Sequence, residues 1–214
     1  ISLGAQKSDL QMQSKAASYQ LEIFFQKYET IVEQMAIDAN IQKLMTETGA
    51  GDMITQSEDY QNVFSHMKQI AASDSDNILA AWIGDIDANV LTQSDGYTSD
   101  SSFQITERSW YQAVELKKTI LTAAYEDAST GQLILSAATP VYDQSGNNII
   151  GVAGADIALE HIEELLSAYK IGNNGFVILV MGDGTVIYHP NKENEQQNLA
   201  DLNVSGTVLE AIQS

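Results

Sequence analysis

From Leu3 to Thr46 the apolar positions fall on one side of a helix. Ala17, Leu21, Phe24, Tyr28, Ile31 and Met35 recur in steps of 4, 3, 4, 3 and 4, close to a 3.5-residue period. No proline interrupts the stretch, no glycine follows Gly4, and Gln, Lys, Glu, Ala, Leu and Met dominate it. The pattern predicts one long helix of roughly 60 Å, more than a compact domain of this size needs. Its seam serves either a core or, near the helix start, a contact with a second copy.

"TGAGDM" at 48 to 53 breaks this pattern, and a second helix is expected from about Ser57 to Ser73, with Tyr60, Val63, Phe64, Met67 and Ile70 at helical spacing. Beyond it the period changes. "NILAAWIGD" (77 to 85), "NVLTQ" (89 to 93), "QLILSAATPVYD" (132 to 143) and "NIIGVAGADI" (148 to 157) read as strands of an antiparallel sheet separated by polar turns. Pro140 needs a place where no ladder amide is required, near a strand end. "ALEHIEELLSAYK" (158 to 170) returns to helical spacing. "GFVILVMGDGTVIYHP" (175 to 190) reads as a hairpin turning at Asp-Gly, and "SGTVLEAIQ" as a helix start. The fold class that follows is α+β: a long N-terminal helix at 1–56, a first antiparallel-sheet module at 57–170, and a second, partial one at 171–214.

Composition narrows the function. The chain has 214 residues, 44% hydrophobic and 18% charged, which is enough to bury a core and unlike a disordered polymer. Lys and Arg number 10 against 29 Asp and Glu, for a net charge of −19 spread along the length. Such a field repels phosphate backbones, so no nucleic-acid partner is expected. Cysteine is absent, which excludes disulfides and thiolate chemistry without fixing the compartment. No apolar run approaches a membrane span, and the chain starts and stops in mid-pattern, so it is read as a segment of a longer protein.

Catalytic and metal-binding patterns are missing. His66, His161 and His189 sit in separate elements without the spacing of a metal set, so neither a metal nor a cofactor is expected. "DIDANVLTQSDG" at 85 to 96 starts like a calcium loop but carries Val90 and Gly96 where glycine and glutamate belong. "RSWY" at 108 to 111, "YEDASTG" at 125 to 131 and "GVAGAD" at 151 to 156 are different in kind. Arg108 offers a planar fork for a carboxylate and Trp110 one indole N–H beside it. Tyr111 and Tyr125 offer hydroxyls and ring faces, while Asp127 and Asp156 suit an ammonium. An α-amino acid carries both charges within a few ångströms and calls for such a two-ended pocket. From these residues alone, an Arg–Asp surface pair beside an aromatic cluster is the other reading.

The ordered series "RSWY", "YEDASTG", "LILSAATPVYD", "IIGVAGADIAL" and "GFVILVMGDGTVIYHP" after a long helix resembles the double Cache sensor family, over essentially the whole chain. The resemblance implies two PAS-like modules on one helix, outside the membrane of a bacterial chemoreceptor, sensor kinase or cyclic-di-nucleotide enzyme, anchored by membrane helices absent from this segment. It also implies a homodimer in the full receptor, and a small polar ligand in the distal module. In its amino-acid-recognising members the counterparts of Arg108 and Trp110 take the carboxylate, and those of Tyr111, Tyr125, Asp127 and Asp156 surround the amine. Two positions depart from the pattern. Phe103 stands where those members usually have tyrosine, removing a hydroxyl worth roughly 0.5 to 1.5 kcal/mol. Ser109 replaces a common proline, which loosens the turn. An amino acid is therefore the leading ligand, with a nucleobase, amine or small carboxylate as alternatives. An enzyme using Asp127 and Asp156 as paired carboxylates and an ectodomain with a vestigial pocket are the rivals from other classes.

Overall fold

The computed structural model of the chain describes residues 3–127, 130–169, 176–181 and 184–202. The helix expected through Thr46 is two helices, α1 (Leu3–Ala36) and α2 (Ala39–Glu47). The break lies at Asp38, whose backbone is extended and whose Oδ1 accepts Asn40 N at 2.8 Å and Ile41 N at 3.2 Å. An aspartate cap competes with helix continuation without any proline or glycine, which is why the apolar period ran through it unmarked. Along the seam, Ala17, Tyr28 and Met35 are buried and Leu21, Phe24 and Ile31 partly so. Helix α3 (Tyr60–Ser73) follows a short turn at Ile54–Gln56.

Two strands, β1 (Ile78–Asp85) and β2 (Val90–Gln93), lead through 3-10 turns at Ile105–Glu107 and Ser109–Tyr111 into the short α4 (Gln112–Leu116). Then come β3 (Ile120–Leu121), β4 (Tyr125–Glu126), β5 (Leu133–Tyr142) and β6 (Ile149–Ala158). The sheet runs β2-β1-β6-β5-β3, with β4 also on β5, and its described pairings are all antiparallel. Pro140 pairs with Val152 inside β5, but β3 reaches only Ala137 and Ala138, so the strand's other edge is open at the proline.

The central strands are buried on both faces, so each face has its own cover. Ala81, Ile83, Val141 and Ala153 pack with Met35, Ile41, Leu44, Met45, Val63 and Met67 of the helices. Trp82, Leu91, Ala138 and Val152 pack with Ile105, Trp110 and Ala113 of the turns and α4. Asp85 ends β1 fully buried; its Oδ1 accepts Ala88 N at 3.0 Å, while Oδ2 has no partner. Burial pushes this carboxyl up to about 7, so its contribution to stability is lost as pH rises from about 4 to 7.

Residues 24–158 form one compact unit, and 1–23 with 159–214 a second. In the second, α5 (Glu160–Ser167) and the hairpin of β7 (Leu179–Val180) with β8 (Val186–Tyr188) are present where helix and hairpin were expected. The first two residues of its "GDG" turn and the expected helix start at 205 to 213 lie outside the described residues.

Candidate functional site

The floor of the site is the sheet face opposite the helices. Antiparallel register puts Gln93, Trp82, Gly154 and Ala138 in one row across β2, β1, β6 and β5, and Asp156 beside Ser136 in the next row of the same face. The two tryptophans need glycine beneath them. A Cβ at Gly154 would lie 2.1 Å from Trp82 Cζ2, and one at Gly84 would lie 3.0 Å from Ile105 Cδ1 and 3.2 Å from Trp110 Cη2. Trp82 and Trp110 then pack with ring centroids 4.7 Å apart at 43°.

Asp156 is 4% exposed, and its Oδ1 collects the donors. Trp82 Nε1 donates at 2.8 Å and Ser136 Oγ at 2.6 Å. The Tyr125 hydroxyl lies 2.6 Å from Ser136 Oγ. Ser136 has one hydroxyl proton and spends it on Asp156, so Tyr125 must donate to Ser136. The phenolic oxygen of Tyr125 thus keeps its lone pairs for a cation, and among the described residues no group donates to Asp156 Oδ2. Burial raises the Asp156 carboxyl to about 6 against the lowering pull of Ser136 and Trp82, with the Asp127 charge adding to the rise. Burial, then the Asp156 charge, push the Tyr125 phenol up, so it stays protonated.

The opposite charge comes from the cover. Arg108 opens the Ser109–Tyr111 turn, and its guanidinium sits 5.2 Å from the centre of the Phe103 ring. Among the described residues no carboxylate lies within ion-pair distance of it. The Trp110 indole N–H likewise has no acceptor among them. The Phe103 segment is pinned from below by Asn89, whose Nδ2 donates to Phe103 O at 2.6 Å and whose Oδ1 accepts Ile105 N at 3.1 Å. Asn89 holds φ 52, a left-handed backbone that asparagine and glycine tolerate. Asn89→Gly keeps that φ but loses both bonds, and is expected to cost about 2 kcal/mol in urea unfolding.

Phe103, Arg108, Trp110, Tyr125, Asp127 and Asp156 line one cavity of about 110 Å³, together with Trp82, Leu91, Gln93, Tyr97 and Ile134. Tyr111 is not in that lining. It packs partly buried on the Trp82 and Trp110 cluster, because neighbours in a 3-10 turn point about 120° apart and Trp110 takes the inward direction. Sequence reasoning missed Trp82 and Ser136. The available signals were a lone tryptophan inside a strand and a serine in an otherwise apolar strand, both unexplained by packing alone. Among the described residues no group of three His, Asp or Glu side chains could hold a metal ion, and no helix is long and apolar enough to cross a membrane.

An antiparallel sheet face and a cover of helical turns thus enclose one cavity that carries an arginine and two aspartates among apolar and aromatic walls. The sequence pattern of the Cache domain family dCache_1 matches residues 3–213, and the chain belongs to that family. It is 32% identical over 127 residues to the methyl-accepting chemotaxis protein McpA of Pseudomonas putida; the match covers 59% of this chain and 19% of McpA. The matched curated relatives named here are thus far longer than the part they share with it. The ligand-binding domain of the Pseudomonas fluorescens chemoreceptor CtaA, solved with L-serine, superposes with a TM-score of 0.71 at 24% identity, covering 94% of this chain and 79% of that one. The ligand-binding domain of the Pseudomonas aeruginosa amino acid chemoreceptor PctB, solved with L-Gln, gives 0.69 at 21% identity, covering 90% and 72%.

Proposed function

We propose that this chain is the extracytoplasmic ligand-sensing domain of a bacterial transmembrane chemoreceptor and that its ligand is a small α-amino acid. The observation that carries the reading is one cavity lined by an arginine without an ion-pair partner among the described residues and a buried carboxylate with an open oxygen. Arg108 and the Trp110 N–H take the ligand carboxylate, and Asp156 with the Tyr125 oxygen takes the ammonium. The amino acids bound by CtaA and PctB support the same assignment. No step here is chemical: the site binds and does not turn over.

Signalling requires that the ligand bind two states differently. Strand β6, which carries Asp156, ends at Ala158, whose N–H donates to Asn77 O at 2.9 Å. Asn77 Nδ2 donates to Asp74 at 2.8 Å, and Asp74 accepts Lys27 at 2.6 Å and Tyr28 at 2.8 Å from α1. The end of the Asp156 strand is thus tied through Asn77 and Asp74 to α1, and a ligand with a tenfold preference between two arrangements of this link shifts their balance by about 1.4 kcal/mol. Met12, Tyr19 and Ile23 form an exposed apolar stripe on α1, 63%, 63% and 50% accessible, which suits a homodimer contact in the membrane-anchored receptor.

The test is a thermal-shift screen of amino acids, amines, small carboxylates and nucleobases against the wild-type chain and Arg108→Ala. A ligand at 100 times its Kd adds about 2.7 kcal/mol to stability. An α-amino acid is expected to raise the midpoint, with affinity reduced about 10- to 100-fold in Arg108→Ala. A response to nucleobases or amines alone would replace the ligand class, and no response at all would favour a vestigial pocket.

A further inference from the structure

We propose that Gln93 selects the side chain of the ligand, favouring α-amino acids that end in a hydroxyl or carboxamide; this rests on the amino-acid reading above. Gln93 and Asp156 project from the same sheet face, on β2 and β6 with β1 between them. Strands lie about 4.8 Å apart, so these two backbones are about 10 Å apart across the sheet. Trp82 stands on β1 between them, paired with Gln93 on one side and with its ring over Gly154 of β6 on the other. A ligand whose ammonium rests at Asp156 has its remaining atoms directed along the Trp82 ring toward β2.

The cavity wall on that side is Leu91, Gln93 and Tyr97, none of them charged. Among the described residues, the half-buried Gln93 amide has no hydrogen-bond partner, although it offers a carbonyl and two N–H donors. Its backbone is held firmly. Gln93 N donates to Tyr97 O at 2.9 Å, Gly96 N to Gln93 O at 3.1 Å, and Tyr97 N to Asp95 Oδ1 at 2.8 Å, with Gly96 at φ +97 closing the turn. An unpaired neutral amide on a backbone held in this way rewards a ligand group that both donates and accepts. A second full charge on the ligand would meet no countercharge at this wall and would lose solvation.

Isothermal titration of the 214-residue chain with L-asparagine, L-serine, L-alanine and L-lysine, repeated with Gln93→Leu and Gln93→Glu, tests the assignment. Wild type is expected to bind asparagine and serine more tightly than alanine. Gln93→Leu should weaken the first two about fivefold to tenfold while leaving alanine within about twofold, and Gln93→Glu should gain affinity for lysine. An unchanged asparagine-to-alanine ratio in Gln93→Leu, or an equal loss for all ligands, overturns the role of Gln93 alone. Wild-type silence toward all four removes the amino-acid reading and this inference with it.

Discussion

Gly154→Ala is expected to damage both the stability of the protein and its site, although it adds one methyl group. The new Cβ would stand 2.1 Å from Trp82 Cζ2, 2.4 Å from Cη2 and 2.5 Å from Cε2, far inside contact distance. The ring cannot yield cheaply. It is 1% exposed, packed on Trp110, and bonded through Nε1 to Asp156 at 2.8 Å. Moving it strains a buried side chain, at about 1 to 3 kcal/mol, and withdraws a donor from a buried carboxylate, at about 1 to 3 kcal/mol more. A loss of about 2 to 6 kcal/mol in urea unfolding is the expected result. Trp82→Phe provides the control, since a smaller ring leaves space for the methyl. If the glycine serves Trp82, the double variant will be no less stable than Trp82→Phe alone; simple additivity of the two losses would show that Gly154 answers to something else.

Asp156→Asn is expected to weaken binding of an α-amino acid by about 30- to 1,000-fold, the cost of leaving a buried ammonium without its countercharge. The asparagine oxygen still accepts from Trp82 and Ser136, so the frame is preserved, while an NH2 replaces the open oxygen and the charge is lost. The pH profile separates the two effects. The empty-site carboxyl titrates at about 6, and only its ionised form holds an ammonium, so wild-type affinity rises with pH through about 6 and levels off above 7. Between pH 7 and pH 5 affinity should fall about tenfold, with a proton released on binding, whereas Asp156→Asn should be flat across this range. The sign for stability is opposite. A carboxyl raised from 3.8 to about 6 contributes stability below pH 4 that is lost as pH rises toward 6, so the empty Asn variant should melt no lower than wild type at pH 7. Titration calorimetry in buffers of different ionisation enthalpy reads the proton directly.

Much of this molecule could be read along the chain, for local reasons. Short apolar and β-favouring runs bounded by polar turns predicted β1, β2, β5 and β6 to within a residue or two, because run length and turn residues are local features. The family motifs pointed to seven ligand residues, and six of them line the cavity. Two features resisted for identifiable reasons. The cap at Asp38 is a single side-chain choice that leaves hydrophobic periodicity undisturbed, so one helix was expected where two exist. Tyr111 shares a motif with Trp110, but a 3-10 turn sends adjacent side chains in different directions.

The sequence by itself therefore determined the class of fold, the absence of cysteine chemistry, the surplus of negative charge, and the presence of one arginine and two aspartates within motifs suited to a zwitterion. Tertiary structure decided which groups serve them. Trp82, Ser136 and Gly154 meet Asp156 and each other only through the register of β1, β6 and β5, across separations of 74 residues for Trp82 and 20 for Ser136. Periodicity reports which way a side chain faces, and it carries no information about which strand lies alongside. That choice belongs to the packed sheet, and with it come the raised Asp156 carboxyl, the Tyr125–Ser136–Asp156 hydrogen bonds, and the Gln93 amide that has no partner among the described residues of the same cavity.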